Sequence, residues 1–319
     1  MQRPHDLTDD QAAKYLPGRP KTDCLFPAST VPVAASILPG LIADLESLQP
    51  KAALIAYDPF LPQGFVAAQH LKLPSVSLLS YTGPGVVSCK PSVTLQWETN
   101  PAVQMGAQEI RECYNIDIFE QGTVGEFYSP DRNTVTTFER LFAPPVSEVQ
   151  KKRLGHLSFR CIGPMFTSDA ERISHAWASD EQLAKELPWQ AIDQARDQSK
   201  RVVYVSMGTV ATSSFWARKF GPVAEESGLQ DFSGKEFVHF VLKAAFEAFE
   251  HEDDILVVAT IGPQADALNE LPSPPQNFIL QEVVPQLQLL RKCDVFVTHG
   301  GANSIHEALG LGLPLVVVP

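Results

Sequence analysis

The chain has 319 residues, 44% hydrophobic and 19% charged, a composition that excludes disorder over most of its length and allows two domains of ordinary size. A formal net charge of −12, with no dense Lys/Arg cluster, excludes a grip on nucleic acid through its phosphates. Five scattered cysteines (Cys24, Cys89, Cys113, Cys161, Cys293) form no CxxC pair, which argues against a zinc site or a disulfide framework and for reduced thiols in a cytoplasmic protein.

The stretch to about Pro32 is polar and Pro-rich, reads as irregular, and lacks the apolar core of a secretory signal. VAASILPGLIADLESL predicts a helix interrupted at Pro39-Gly40. Ala52 to Tyr57 is a short apolar run of the buried parallel-strand kind, Pro62 to Leu71 has helical spacing, and Ser75 to Leu79 is a second strand. Together they make a βαβ unit. VQMGAQEIRECYNIDIF predicts a helix to Phe119, TVTTFERLF leaves strand and helix open, and LSFRCIG reads as a strand. A polar stretch from residue 166 to 200 reads as a linker.

A second α/β pattern follows. Val202 to Ser206, Ile255 to Ile261, Phe278 to Gln281, Val295 to Thr298 and Leu315 to Val318 are strands. Phe237 to Phe249, Pro285 to Lys292 and Asn303 to Leu309 are the helices between them. Alternation of this kind calls for a parallel sheet with both faces covered. No apolar run reaches the roughly 20 residues that cross a bilayer.

The strongest chemical signal runs from Asp294 to Glu307. A buried strand, DVFVTH, enters Gly300-Gly301, and a helix starts at once with Ala302-Asn303-Ser304. Glycines at such a turn let an anion approach the backbone, and the free N–H groups and positive dipole end of the helix attract phosphate. His299, Asn303 and Ser304 add donors there. Glu307 lies four residues after Asn303 and three after Ser304, on one helix face, placed to accept from ribose hydroxyls. Taken singly, Asn303 or Ser304 reads as a helix N-cap, Glu307 as a solvated charge and the glycine pair as a tight turn. Their joint order favours a nucleotide site.

The stretch FILQEVVPQLQLLRKCDVFVTHGGANSIHEALGLGLPLVVVP resembles the donor-binding signature of the family 1 UDP-glycosyltransferases. The resemblance implies an α/β protein of GT-B fold, two Rossmann-like domains facing a cleft. It also implies an inverting enzyme, a hexosyltransferase, that moves a sugar from a UDP-sugar to a hydroxyl of a small lipophilic acceptor. By the same resemblance His299, Gly300, Gly301, Asn303 and Ser304 contact the donor phosphates, Glu307 holds the ribose, and Val283, Val284 and Gln286 mark the uracil region. VVYVSMGTV is similar to the family's first C-terminal strand and its loop, which adds Ser206, Gly208 and Thr209 to the phosphate set. LIAYDPFLPQGFVAAQHLKLPSVSLL resembles the strand ending in the carboxylate that orients the general-base histidine, here Asp58. In isolation Asp58 also reads as a turn cap before Pro59. The UDP-sugar is a co-substrate, no cofactor or metal is implied, and no carboxylate pair suits a metal.

Three departures from the family pattern shape the expectation. The glycine-histidine loop carrying the base precedes the family's matching strand and is not in this sequence, and His5 lacks a preceding strand. The other histidines (His70, His156, His175, His239, His251, His306) read as surface residues. The family's sugar-binding acidic residue and Gln would follow Pro319. Val283 stands where many members stack a Trp on the uracil. The expected organisation is a partial acceptor-binding domain at residues 1–165 lacking its first strand, a linker at 166–200, and a partial donor-binding domain at 201–319 lacking its last helices. Such a chain is expected to be weakly active or inactive as an enzyme, the alternative being a degenerate nucleotide-sugar-binding module without catalysis. A NAD-dependent enzyme is disfavoured, since no G-x-G-x-x-G follows a strand.

Overall fold

The computed structural model describes residues 7–24, 28–85, 97, 99–120, 126–146, 148–165, 187–221 and 228–318, and the chain divides into two units, Met1–Gly163 and Pro164–Pro319. The first begins with a helix where the sequence reads as irregular. Thr8 and Gln11 form a reciprocal capping box, the Thr8 hydroxyl taking the Gln11 N–H at 3.2 Å and the Gln11 side chain taking the Thr8 N–H at 2.9 Å. This starts α1 (Asp9–Tyr15), whose Tyr15 is buried beside Leu7 and Leu16.

Helix α2 (Thr30–Ser47) runs unbroken through Pro39, contrary to the expected interruption. Pro39 and Gly40 are exposed, so the carbonyl that loses its N–H partner is free to bond water, and the buried stripe Val31, Ala35, Leu38, Ile42 continues past them. Next come β1 (Ile55–Tyr57), α3 (Pro62–His70), β2 (Ser75–Leu79) and α4 (Pro101–Tyr114). Helix α4 stops short of Phe119 because Asn115 takes a left-handed conformation with φ 56°. The ambiguous TVTTFERLF contributes the end of β3 (Arg132–Val135) and then a single 3₁₀ turn at Glu139–Leu141. Helix α5 (Glu148–Leu154) and β4 (Phe159–Cys161) complete the described part of the unit. Its four strands pair in parallel in the order β1-β2-β3-β4, with Ile55 opposite Ser75, Val76 opposite Arg132 and Asn133 opposite Phe159. Val31 and Leu38 of α2, Val66 of α3 and Val103 and Ile110 of α4 share one core with Trp97.

The second unit starts inside the stretch read as linker. Trp189–Asp197 is a helix, α6, which buries Ile192 and Ala195, with Ile192 in the core of this unit. Its surface is polar enough to hide a two-residue apolar anchor from a compositional reading. Strands β5 (Arg201–Ser206), β6 (Ile255–Thr260), β7 (Phe278–Gln281), β8 (Val295–Thr298) and β9 (Leu315–Val317) pair in parallel in the order β7-β6-β5-β8-β9. Helices α7 (Gly234–Phe249), α8 (Gln286–Leu290) and α9 (Ala302–Gly310) connect them. Alternate residues of β5 serve opposite faces. Val203 and Val205 pack with Val238 and Leu242 of α7, whereas Val202 and Tyr204 pack with Ile192 of α6, Leu289 of α8 and Ala308 of α9. Tyr204 stacks on Phe296 of β8 with centroids 4.7 Å apart.

Both units are Rossmann-like. Two histidines expected at the surface are instead interior. His239 meets the Ala267 carbonyl at 2.9 Å and the edge of Trp216, and His306 is packed on the inner side of α9. His70, His156 and His251 are exposed, while His5 and His175 lie outside the described residues. Among the described residues no helix is long and apolar enough to cross a membrane.

Candidate functional site

In the second unit the chain leaves β5 to build β6 and β7 on one side, then returns to build β8 and β9 on the other. The C-terminal ends of β5 and β8 therefore flank a reversal of strand order, the place where an open α/β sheet offers a crevice to a ligand. Every expected phosphate-binding residue lies at the end of β5, in the two loops at that reversal or in the first turn of α9.

The two loops are joined by one imidazole. Gly208 follows β5 with φ +73°, and a Cβ built on it would stand 2.3 Å from His299 Cε1. Gly301 stands on the other side, where a Cβ would fall 2.6 Å from His299 Nε2. The ring thus fits between two glycines and neither tolerates a side chain. Gly300 has φ +86°, a conformation that only glycine adopts at little cost. Burial lowers the His299 pKa below its ordinary value, opposed by a backbone contact with Ser206. The ring is therefore neutral at pH 7, and its Nδ1 is buried without a hydrogen-bond partner. A buried polar atom of this kind at the mouth of a crevice suits a ligand oxygen.

The start of α9 also has unmet donors. Its N-cap is Gly301, with no side-chain cap, and its first turn carries no acidic residue. Asn303 and Ser304 lie inside the first turn, which removes the reading of either as a simple N-cap. Asn303 is exposed. Ser304 and Glu307 turn inward and share a partner: the Gln286 amide nitrogen donates to Glu307 Oε2 at 2.8 Å and lies 3.3 Å from the Ser304 hydroxyl. Glu307 is 1% exposed, so it is not a solvated charge. The Tyr204 hydroxyl donates to Gln286 Oε1 at 3.4 Å, tying β5, α8 and α9 together.

On the β5 side, Ser206 is buried and accepts from the Thr260 hydroxyl at 2.7 Å, while Thr209 is exposed. Thr212 donates its hydroxyl to the Gly208 carbonyl at 3.0 Å, bracing the loop. Of the residues expected near the base, Val284 is in the core, Val283 is half-buried, and the Gln286 side chain is engaged as above.

Residues 233–319 match the glycosyltransferase family 28 C-terminal domain. Over 99% of its length the chain is 26% identical to an uncharacterized UDP-glucosyltransferase of Bacillus subtilis (strain 168), YojK, of which it covers 67%. A second such protein of that strain, YdhE, is 33% identical over half of this chain and 29% of its own length. The chain therefore spans between about a third and two thirds of these relatives. The crystal structure of the kitacinnamycin glycotransferase superposes on 96% of this chain and 66% of that one, with a TM-score of 0.57 at 22% identity.

Residues 233–319 are therefore similar to a glycosyltransferase C-terminal domain, and the chain as a whole to a UDP-glucosyltransferase.

The first unit places Asp58 just after β1. Its Oδ1 accepts the Phe60 N–H at 2.9 Å, the turn-capping geometry that a carboxylate before Pro59 also predicts. A sequence reading misses Thr260 and Thr212, which support Ser206 and Gly208. The signal available for them was the third strand-end loop, Thr260-Ile261-Gly262, with Gly262 at φ +82°. The bridging role of Gln286 had no local signal, since it depends on α8 and α9 lying side by side.

Proposed function

We propose that this chain is a UDP-glycosyltransferase that binds a UDP-sugar through its second unit and transfers the sugar, with inversion, to a hydroxyl of a small lipophilic acceptor. The observation that carries the reading is the imidazole of His299 held between Gly208 and Gly301 beside an uncapped helix N-terminus. The diphosphate would sit against the first-turn N–H groups of α9, with Asn303 and the His299 ring nitrogen as further donors. In the transfer, the acceptor oxygen bonds to the anomeric carbon as that carbon's bond to the diphosphate breaks, and the hydroxyl proton passes to a base. Charge accumulates on the departing UDP, where the fixed donors and helix dipole stabilise it without a metal. A neutral His299 acts there as a hydrogen-bond donor and not as a cation. Ser206, Gly208 and Thr209 line the opposite side of the same crevice.

Glu307 would hold the ribose, and its existing bond to Gln286 fixes the carboxylate before the nucleotide arrives. The backbone at Val283 and Val284 would meet the base. In the first unit Asp58 would orient a histidine base and stabilise its protonated form.

Calorimetric titration with UDP and with UDP-glucose tests this reading. Both should bind, and Glu307→Ala should weaken both by roughly tenfold, the scale of one lost buried hydrogen-bond partner. Absence of binding at millimolar ligand would remove the donor site, and an unchanged affinity in the variant would remove the ribose role.

A further inference from the structure

The loops after β5 and β6 meet at one buried hydroxyl that the donor reading does not use. Gly208, after β5, packs against His299 of the loop after β8, and its φ of +73° is one of many conformations open to glycine. A residue so free does not fix its own geometry, so its contacts select it. Its N–H lies 3.4 Å from the Ser206 hydroxyl, beyond the usual length of a hydrogen bond. Its carbonyl is held more firmly, by the Thr212 hydroxyl at 3.0 Å, and Thr212 is 6% exposed. The peptide group is planar, so holding the Gly208 carbonyl also fixes the Thr209 N–H, which points the opposite way.

A threonine that bonds back four residues is common in helical turns. Two observations set Thr212 apart. Its turn, Val210–Ser214, is wide, with the Phe215 N–H reaching back five residues to the Val210 carbonyl at 3.0 Å, a rare form that recurs at functional sites. Thr212 is also held from behind by the loop after β6. Gly262 lies so close that a Cβ on it would stand 2.5 Å from Thr212 Cβ, and the Gln264 side-chain amide donates to the Thr212 carbonyl at 3.2 Å. That loop is fixed in turn to the end of β7. The Ile261 and Gly262 N–H groups donate to the Gln281 and Glu282 carbonyls at 2.9 and 3.1 Å. Contacts therefore run unbroken from β7 through Gly262 and Thr212 to Gly208 and the His299 ring.

We propose that Thr212 is a positioning residue of the donor site, its hydroxyl setting the Gly208–Thr209 peptide, and through Gly208 the seat of the His299 ring, before the diphosphate arrives. This role deepens the donor reading and rests on it. It makes the loop after β6 part of the site's preorganisation without requiring that loop to touch the ligand.

Thr212→Val removes the hydroxyl at nearly constant volume, and Thr212→Ser keeps it. In calorimetric titration of the whole chain, T212V should bind UDP roughly tenfold more weakly than the wild type, and T212S within about threefold of it. The seat of the ring is read without ligand, as the rate at which diethyl pyrocarbonate acylates His299, followed by peptide mass spectrometry. That rate should rise several-fold in T212V and stay unchanged in T212S, while His239, buried elsewhere in the same unit, keeps its rate in both. Gln264→Ala, which removes a half-buried donor to the Thr212 carbonyl, should change both readouts in the same direction but less, and it decides the matter if T212V does not fold. A wild type that binds no UDP at millimolar concentration would overturn the donor reading and this role with it. Wild-type binding that T212V retains in full, a serine variant as weak as the valine, an unchanged His299 rate, or His239 accelerated as much as His299 would overturn the role of Thr212 alone.

Discussion

The two units use the same architecture, parallel strands with ligand-side loops at their C-terminal ends, but equip those ends differently. In the second unit the loops after β5, β6 and β8 carry Gly208, Gly262, Gly300 and Gly301, three of them at positive φ. One imidazole sets the spacing between two of these glycines, Gly208 and Gly301. In the first unit the loops after β1 and β2 carry Pro59, Phe60 and Tyr81, their glycines Gly83 and Gly85 are packed against the Ala143 and Pro144 carbonyls, and Asp58 is turned onto the backbone of its own loop. Phe60 and Tyr81 rings meet at 5.3 Å. An open glycine turn lets an anion approach the main chain, whereas a glycine packed against a neighbouring carbonyl only closes a turn. The imidazole slot between Gly208 and Gly301 is what supports the proposed placing of the donor phosphates in the second unit.

The most damaging test of that contrast is to give the second unit side chains where it has none. Gly301→Val must displace the His299 ring, and UDP affinity should fall by roughly a hundredfold, about 2.8 kcal/mol. Gly221→Asn is the control: φ is +66° there, but a Cβ meets nothing within 4 Å, so UDP binding should be unchanged. Equal losses in both would show backbone strain rather than the imidazole slot to be responsible.

Acidity should separate the units next. Glu126 keeps its proton up to about pH 7 when folded, against an ordinary value of 4.5. Between those values the native state holds a proton that the unfolded chain has lost, so stability falls as pH rises, by on the order of 3 kcal/mol. His299 has the opposite sign. Its folded pKa is lowered from 6.5, so below that pH the unfolded chain takes the proton more readily, and stability falls as pH drops. Hydrogen exchange measured between pH 5 and pH 7 should therefore show the first unit loosening with rising pH and the second tightening. Glu126→Gln should flatten the first trend and leave the second; parallel trends in the wild type would refute the comparison.

A smaller effect is expected at the joint of the second unit. Gln286→Ala leaves the buried Glu307 without its amide donor, at a cost of about 1–3 kcal/mol in stability. Combined with Glu307→Ala it should be strongly non-additive, since both remove one contact. Thr8→Ala, which opens the α1 capping box, should cost least, about 1 kcal/mol in thermal melting, without touching UDP binding.

How far the sequence reveals this molecule depends on the range of the forces involved. Strands such as Ser75–Leu79 and Val295–Thr298 are legible because burial on both faces writes a continuous apolar run. The phosphate loops are legible because glycine at a strand-to-helix turn has few other uses. The capping box at Thr8 and Gln11 is equally local and was open to reading, but the surrounding polar composition masks it. Pro39 misleads because its penalty depends on which face it occupies, a property settled only by packing. His239 and His306 mislead for the same reason, since polarity alone does not tell a solvated ring from one with a carbonyl partner or a packed niche. Gln286 was beyond reach altogether, because its role arises from three elements distant in sequence.

The placement of His299 has one practical consequence. An imidazole flanked by two glycines keeps its Nδ1 without a hydrogen-bond partner among the described residues. Its ring protons should give a narrow, isolated nuclear magnetic resonance signal that shifts when a diphosphate arrives. Occupancy of the donor crevice can then be followed in solution without a label, a substrate analogue or turnover.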